Sequence, residues 1–340
     1  MNGTGRPEHG PTPSAPTGAV IGAGRCGSAV ASRMAACGLF DLVVLADARA
    51  GSAEGRALDI DHAACIEGYG ARTLGTTVHC RDDYRAIAGS QVVVIASGMS
   101  RRPGMRRADL LEANIEAVAA AADGVRAFAP HAVVIVVTNP LDEMTAFVQA
   151  VSGLPARQVI GQAGVLDSAR FRYAVARELA VPSAAVHAVV IGPHSEDMVP
   201  LVSTCRVRGV PLTELLPAER IKKVVELTRQ GGTEIIGLLR SGSTSTAPSA
   251  AVLAMVRAIV TDSGAQVPVC TSLHGAYGLD GVYLGVEATL GLPGVTAVIE
   301  RAIAADERCA LRVAADCARK RQSAVRERAG RAQVVTDSAS

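Results

Sequence analysis

The sequence predicts an α/β protein in which a doubly wound parallel sheet is followed by an α+β domain. Two observations lead to this prediction. Short apolar runs without a polar face alternate with helical patterns through the first half, which is typical of a parallel sheet covered by helices on both sides. Beyond about residue 160, helices and strand pairs are mixed instead of alternating, which indicates a second domain.

The elements of the first half follow from the hydrophobic pattern in chain order. The predicted strands cover residues 19–21, 42–46, 78–80, 91–96 and 133–137, and the predicted helices cover 25–36, 54–66 and 109–128. In the second half we expect helices at 167–179 and 218–239, a terminal helix, and strands at 186–191, 202–207, 267–273 and 281–288.

The two predicted domains are flanked by polar tails. The opening residues, 1–17, are rich in Pro, Gly, Thr and Ser and bury too little apolar surface to offset the entropy of ordering, so we expect a disordered tail. The predicted first domain covers residues 18–160, the second covers 161–326, and a polar tail follows at 327–340.

Composition excludes several classes of partner. The net charge is only +2, from 34 basic and 32 acidic residues, and no basic stretch carries interleaved aromatic residues, so nucleic acid is not an expected partner. An uncharged apolar stretch of about 18 residues, as a membrane span needs, is not found. The start of the chain lacks the layout of a signal peptide. The eight cysteines form no C-x-x-C pair, so we expect reduced structural thiols, a cytoplasmic protein and no metal site.

A glycine-rich turn joins the first predicted strand to the first helix. It reads Gly22-Ala23-Gly24-Arg25-Cys26-Gly27, the G-x-G-x-x-G pattern in which backbone and helix N-terminus approach a pyrophosphate. Asp47 ends the next strand about twenty residues later, where a carboxylate can bind ribose hydroxyls and repel a 2′-phosphate. This context predicts a Rossmann-type domain that binds NAD rather than NADP. The alternative is an ordinary glycine turn followed by a solvent-facing Asp.

Four further segments carry residues suited to one chemistry. They are the four-arginine loop 97–107, Asn139 at the end of a strand, Asp167 with Arg170 one helical turn later, and His194 after another strand. Each alone has a structural explanation: a solvated basic turn, an Asn-Pro turn, a surface ion pair or a structural histidine.

Reduction of a 2-oxo acid by hydride transfer needs these four residue types together. The carbonyl oxygen takes up a proton, and histidine is the side chain with a suitable pKa. A buried Asp holds the imidazole in one tautomer and stabilises its cation. The substrate carboxylate calls for a bidentate guanidinium, and the charge growing on oxygen calls for a further cationic donor from a closing loop.

With these residues in place, the sequence resembles the lactate/malate dehydrogenase superfamily over residues 18–325, and within it the lactate-dehydrogenase-like malate dehydrogenases. The motifs that carry the resemblance are Gly22–Gly27, Asp47, Arg101-Arg102-Pro103-Gly104-Met105, Asn139-Pro140-Leu141-Asp142, Asp167–Arg172, His194, Gly275-Ala276-Tyr277-Gly278-Leu279 and Val282-Tyr283-Leu284-Gly285-Val286.

The resemblance implies a role for each candidate residue of the reaction. His194 would exchange the proton, with Asp167 as its partner. Arg170 would bind the C1 carboxylate. Arg107 would polarise the carbonyl from the loop, and Asn139 would hydrogen-bond the reacting oxygen.

The resemblance also implies a substrate class, cofactor contacts and an assembly. Arg101 matches the specificity position, where an arginine favours a second carboxylate, so malate and oxaloacetate are the expected pair. Another anionic 2-hydroxy acid, either a larger dicarboxylate or a lactate-like one, stays open. The implied assembly is a homodimer or homotetramer. The implied cofactor contacts are Gly22, Gly24, Gly27, Asp47, Gly98, Asn114 and Asn139.

Two departures from the family pattern bear on the substrate. The family usually has Gly-Gly-His-Gly-Asp around the histidine, where this chain has Gly192-Pro193-His194-Ser195-Glu196. The malate-type Ser-Ala-Tyr-Tyr-Ala-Pro is here Ser243-Thr244-Ser245-Thr246-Ala247-Pro248, so two tyrosines are small hydroxyl residues. A roomier pocket could accept a larger dicarboxylate. A catalytically silent NAD-binding or scaffold protein is the alternative of another class, and the complete set of candidate residues argues against it.

Overall fold

The computed structural model describes residues 16–100, 104–240 and 244–337, with side chains described as far as residue 330. The strands of the first half are β1 (Thr17–Ile21), β2 (Leu42–Asp47), β3 (Arg72–Thr77), β4 (Val92–Ile95), β5 (Val133–Val136) and β6 (Val159–Gly161). Its helices are α1 (Arg25–Ala35), α2 (Ser52–Glu67), α3 (Arg107–Phe128) and α4 (Leu141–Ser152).

The second half contains shorter strands and longer helices. Its helices are α5 (Gly164–Leu179), α6 (Leu212–Leu215), α7 (Ala218–Leu239), α8 (Thr246–Val260) and α9 (Ala305–Asp337). Its strands are β7 (Val186–His187), β8 (Val190–Ile191), β9 (Val199–Pro200), β10 (Arg206–Val207), β11 (Val210–Pro211), β12 (Gln266–His274), β13 (Asp280–Gly291) and β14 (Gly294–Val298).

The strands of the first half form a parallel sheet in the order β3-β2-β1-β4-β5-β6, which confirms the predicted doubly wound fold. The strand order reverses between β1 and β4, since the chain builds outward from β1 in one direction and from β4 in the other. Ligands of open α/β sheets bind at the carboxyl ends of the strands beside such a switch point.

Helices cover both faces of this sheet. The side chains of β1, β4 and β5 alternate between two buried clusters, one packed against α1, α2 and α8 and the other against α3, α4 and α9. Because the strands are apolar on both faces, their sequences lack the alternation of a half-exposed sheet.

The parallel sheet continues into the second half of the chain. Strand β12 pairs antiparallel with β6, with Cys270 opposite Gly161, and β13 and β14 extend the sheet to nine strands. A Cβ on residue 161 would lie 2.5 Å from the Thr145 hydroxyl and 2.9 Å from the Cys270 Cβ, so a side chain there would separate the strands. The predicted boundary near residue 160 therefore falls inside a continuous sheet.

A second contact connects β8 to the same sheet. Gly192, which follows β8, exchanges two backbone hydrogen bonds with Gly285 of β13, at 2.8 and 3.0 Å. A Cβ on Gly285 would lie 2.5 Å from the Gly192 carbonyl oxygen, so the approach requires glycine. This bridge holds the chain two residues before His194.

Three strand predictions need correction. The strand predicted at 78–80 lies earlier, as β3. Its residues are mostly exposed or half-exposed, so it has no continuous apolar run by which a strand could be recognised. The strand predicted at 186–191 is divided into β7 and β8, which belong to different sheets. Of the strand predicted at 202–207, only Arg206–Val207 is extended, and turns precede it.

The predicted ends of the folded chain also need correction. Helix α9 runs to Asp337, and its Val325 and Ala329 are buried against α4, so the polar tail predicted from residue 327 is wrong over 327–337. Thr17 already belongs to β1, while the predicted disordered tail at 1–15 lies outside the described residues. Within the described ranges, no helix has the length and apolar character needed to cross a membrane.

Candidate active site

The glycine turn after β1 has the geometry of a phosphate-binding loop. Gly22 has φ +108°, and a Cβ there would lie 2.5 Å from the Ser97 nitrogen. A Cβ on Gly27 would lie 1.8 Å from the Gly22 carbonyl oxygen, so glycine lets α1 pack onto the turn. At Gly24 the space is open to 4 Å, and α1 begins without a side-chain cap. An anion can therefore reach the positive end of this helix.

Asp47 fixes the turn from the end of β2. Its Oδ2 accepts the Ala23 N–H at 2.6 Å, and its Oδ1 accepts from the Arg49 backbone and Nε at 2.9 and 3.1 Å. Burial opposes ionisation, but these bonds outweigh it and lower the pKa of Asp47. With Gly22, Gly24 and Gly98, this carboxylate lines a cavity of ≈ 920 Å³, which fits a dinucleotide.

Asn114 of α3 connects two of the loops at the carboxyl edge of the sheet. It is fully buried, its Oδ1 accepts the Met99 N–H at 2.7 Å, and its Nδ2 donates to the Asn139 carbonyl at 2.8 Å. A Cβ on Gly98 would lie 2.6 Å from the Asn114 Oδ1. Its amide thus positions Met99 and Asn139, and the expected direct contact between Asn114 and the cofactor stays a prediction.

A second cleft, of ≈ 500 Å³, adjoins the first along residues 96–99, which line both. Four predicted residues from separate parts of the chain line it: Arg107, Asn139, Arg170 and His194. The fold thus brings together groups that are far apart in sequence, and it places them next to the dinucleotide cavity.

His194 and Asp167 form a hydrogen-bonded pair at the wall of this cleft. The Nδ1 of His194 lies 2.7 Å from Oδ2 of Asp167, whose Oδ1 accepts from Arg170 Nη1 at 3.0 Å. Asp167 lies in the first turn of α5, and Ser168 beside it accepts the Val190 N–H at 2.9 Å, which fixes the helix against β8. The predicted pair is therefore present, and it leaves Nε2 of His194 for a ligand in the cleft.

The surroundings of His194 shift its protonation equilibrium. Burial lowers its pKa, but the charge and hydrogen bond of Asp167, with a further contribution from Asp142, outweigh burial and the opposing charge of Arg170. The net effect raises the pKa of His194 above its usual value. The protonated imidazole, which can transfer a proton to a ligand oxygen, is thus stabilised relative to that of a free histidine.

Asp142 is a second carboxylate beside His194. It is fully buried in the first turn of α4, and its Oδ2 accepts the backbone N–H of His194 at 2.9 Å. Burial and the neighbouring Glu143 raise the pKa of Asp142, against the charges of Arg107 and His194. Asp142 was not predicted as a site residue, although a carboxylate just after an Asn-Pro pair at a strand end was a usable signal.

Arg107 is the first residue of α3 rather than a free loop residue, and it is held by an ion pair. Its Nε and Nη2 donate to the two carboxylate oxygens of Glu143 at 3.2 and 2.6 Å. Arg321 of α9 also donates to Glu143, at 2.6 Å. Neither Glu143 nor Arg321 was predicted, because their partners are 36 and 178 residues away in sequence.

Arg170 lies against a pair of glycines in α7. A Cβ on Gly232 would lie 3.2 Å from Arg170 Nη2, so small residues give the guanidinium room to reach the cleft. This α7 contact was not predicted. Thr244, which directly precedes the two small residues that replace family tyrosines, Ser245 and Thr246, also lines the cleft. Arg101, the predicted specificity residue, lies outside the described residues, as do Arg102, Pro103 and Ser243.

Comparisons with known proteins agree with this arrangement. The family model for the NAD-binding domain of lactate/malate dehydrogenases matches residues 18–161, and the model for the family's α/β C-terminal domain matches residues 164–327. A malate dehydrogenase of Staphylococcus carnosus is 43% identical over 311 residues, which is 91% of this chain and 98% of that protein.

Two solved structures are similar in fold. The malate dehydrogenase of Picrophilus torridus superposes with a TM-score of 0.88 at 34% identity, covering 92% of this chain and 98% of that one. The lactate dehydrogenase of Cryptosporidium parvum, solved with lactic acid and nicotinamide adenine dinucleotide, gives 0.88 at 36% identity, covering 92% and 99%. The chain therefore belongs to the lactate/malate dehydrogenase family of NAD-dependent oxidoreductases.

Proposed function

We propose that the protein is a malate dehydrogenase, which interconverts malate and oxaloacetate with NAD as the hydride acceptor or donor. The observation that carries this proposal is the His194–Asp167 pair beside a cleft that is lined by Arg107, Arg170 and Arg229 and adjoins the dinucleotide cavity. A relative named malate dehydrogenase at 43% identity supports the same reaction.

The bound nicotinamide would supply or accept the hydride at C2 of the substrate. His194 Nε2 would donate its proton to the carbonyl oxygen of oxaloacetate, and it would remove that proton when malate is oxidised. Asp167 keeps Nδ1 hydrogen-bonded, so the proton in transit is the one on Nε2. The Asp167 charge stabilises the imidazolium before the transfer.

The two described arginines would divide the remaining work. Arg170, which is largely buried beside Gly232, would bind the C1 carboxylate through paired N–H donors. Arg107 would stabilise the negative charge that develops on the carbonyl oxygen, an effect that is strong in a site from which water is excluded. Asn139, held through its carbonyl by Asn114, would donate to the same oxygen.

The distal carboxylate is assigned to Arg101. Nothing in the set of His194, Asp167, Arg107, Arg170 and Asn139 distinguishes oxaloacetate from pyruvate, and the similarity to both malate and lactate dehydrogenases shows that the fold does not distinguish them either. A specific group must therefore meet the far end of the substrate, and the arginine at position 101 supports a dicarboxylate.

A larger 2-hydroxy dicarboxylate is the second candidate. It is supported by Ser245 and Thr246, which replace the two tyrosines of the family pattern next to Thr244 of the cleft wall. A homodimer or homotetramer is the proposed assembly. Exposed apolar side chains such as Leu58 and Ile66 on α2 and Leu238 on α7 support an assembly, because association would remove them from water.

The proposed substrate predicts the effect of Arg101→Gln. Loss of a desolvated charge pair costs about 3–5 kcal/mol, or roughly two to three decades. We expect kcat/KM for oxaloacetate to fall by about that factor, while pyruvate is unchanged or improved. Steady-state assays with NADH and a panel of 2-oxo acids, including larger dicarboxylates, measure this. Arg102→Gln is the matched control and should have far less effect. An unchanged ratio of oxaloacetate to pyruvate would remove the support for a dicarboxylate.

The Asp167 contact predicts a pH dependence. Reduction requires protonated His194, so kcat/KM for oxaloacetate should be constant at low pH and decline as the pH rises through the pKa of His194. That pKa is raised above the ordinary histidine value of about 6.5. The Asp167→Asn variant lacks the negative charge that stabilises the His194 imidazolium. The decline in kcat/KM should therefore occur at lower pH, and the maximum rate should fall. Parallel pH profiles of both proteins measure this shift. Identical midpoints would show that Asp167 does not set the protonation of His194.

The contacts of Asp47 predict the cofactor preference. The wild-type protein should strongly prefer NADH, since a 2′-phosphate would meet the Asp47 carboxylate. Asp47→Ser removes this charge and releases Arg49, so NADPH use should rise by roughly one to two decades, as expected for one charge-assisted bond of about 1.5–3 kcal/mol. Adding Arg49→Gln should abolish the gain. Equal kcat/KM for NADH and NADPH in the wild type would contradict this account.

A further inference from the structure

Glu143 is a buried carboxylate that the proposed reaction does not use. It lies in the first turn of α4 with only 2% of its surface exposed, and it is held by Arg107 from one side and Arg321 from the other. Burial opposes its ionisation, but the hydrogen bond and charge of Arg107, helped by Arg321, outweigh burial and lower the pKa of Glu143. It is therefore an anion placed between two cations.

The ion pair between Glu143 and Arg107 fixes both the position and the orientation of the guanidinium. Both carboxylate oxygens take part, so the contact is bidentate and sets the plane of the guanidinium as well as its position. Helix α4 is a firm support, because almost all of its residues are buried. Arg107 is therefore positioned by α4, which directly follows Asn139-Pro140, as well as by its own helix α3.

The same contact leaves Arg107 able to act on a substrate. In the described part of the chain, Glu143 engages Nε and Nη2, and a guanidinium has further N–H donors on Nη1 and Nη2. Arg321 supplies the second positive charge, so Arg107, Glu143 and Arg321 together are net cationic, and burial raises the pKa of Asp142, whose Oδ2 lies 3.7 Å from Arg107 Nη2. Without Arg321, Glu143 would neutralise the charge that the developing oxyanion needs.

We propose that Glu143 is the positioning residue for Arg107 and that Arg321 of the C-terminal helix keeps this pair electrostatically active. The inference deepens the proposed function and rests on it, since it concerns the arginine that polarises the substrate carbonyl. It assigns a catalytic consequence to α9, whose residue 321 is far in sequence from every predicted site residue.

The proposal predicts a defect in hydride transfer rather than in binding. Glu143→Gln should lower kcat by about 10²-fold, as expected when a reacting group is displaced by about 1 Å. The KM for NADH should stay the same, because the dinucleotide cavity does not include Glu143. The deuterium isotope effect with C4-deuterated NADH should increase as the chemical step becomes limiting. Glu143→Asp, which keeps the charge, should recover part of the loss.

A double-mutant cycle with Arg107→Gln tests whether Glu143 acts through Arg107. If it does, Glu143→Gln lowers kcat in the wild-type background but has no further effect in the Arg107→Gln background. Arg321→Gln should behave in the same way with a smaller loss, of about tenfold or less, and it carries the test if Glu143→Gln does not fold. Arg328→Gln is the matched control, because Arg328 pairs α9 with Glu112 of α3 at the surface, so kcat should not change.

The outcomes separate this proposal from the proposed function. Losses that multiply in the double variants would show that Glu143 acts independently of Arg107, and a wild-type kcat in both Glu143→Gln and Arg321→Gln would overturn the proposal outright. If Arg107→Gln is impaired while the other two are not, only the positioning role fails. If Arg107→Gln itself keeps the wild-type kcat, the role of Arg107 in the proposed reaction fails, and the positioning role with it.

Discussion

The antiparallel pairing of β12 with β6 is the constraint on which the site depends. This pairing carries the parallel sheet into the second half of the chain, so β13 and the Gly192–Gly285 bridge are placed relative to β5 and β6. Since His194 follows that bridge and Asn139 follows β5, the two reach one cleft, where Asp142, three residues after Asn139, accepts the backbone N–H of His194. A side chain at position 161 would separate β6 from β12 and so disturb the placement of the residues that follow β5 and β8.

Buried carboxyl groups then fix the site locally, and Asp167 and Glu143 among them are each paired with cationic partners. Asp167 serves His194 and Arg170 together, Asp142 holds the backbone of His194, and Glu143 holds Arg107. An unpaired charge at these depths would be strongly destabilising, whereas a carboxylate with several donors stays ionised and directs the groups around it. Asp167, Asp142 and Glu143 thus orient groups of the cleft without lining it, whereas Glu196 and Asp197 belong to its wall.

The sequence was sufficient for the parallel sheet, the glycine turn, Asp47 and the His194–Asp167 pair, because these depend on local pattern or on motifs with fixed spacing. It was insufficient where the partner is distant. Glu143 has no recognisable partner in the sequence until α9 brings Arg321 to it, and Asn114 is recognised as a connector only once Met99 and Asn139 lie beside it. Strand β3 was misplaced because its exposed face interrupts the apolar pattern.

Single-turnover reduction of oxaloacetate by His194→Asn tests the central claim most directly, because it isolates the proton donor from the arginines that bind the substrate. The account predicts that NADH binds with normal affinity, since the dinucleotide cavity does not include His194, and that hydride transfer slows by on the order of 10²–10⁴-fold. Near-normal hydride transfer in this variant would contradict the account, because His194 could then not be the group that exchanges the proton.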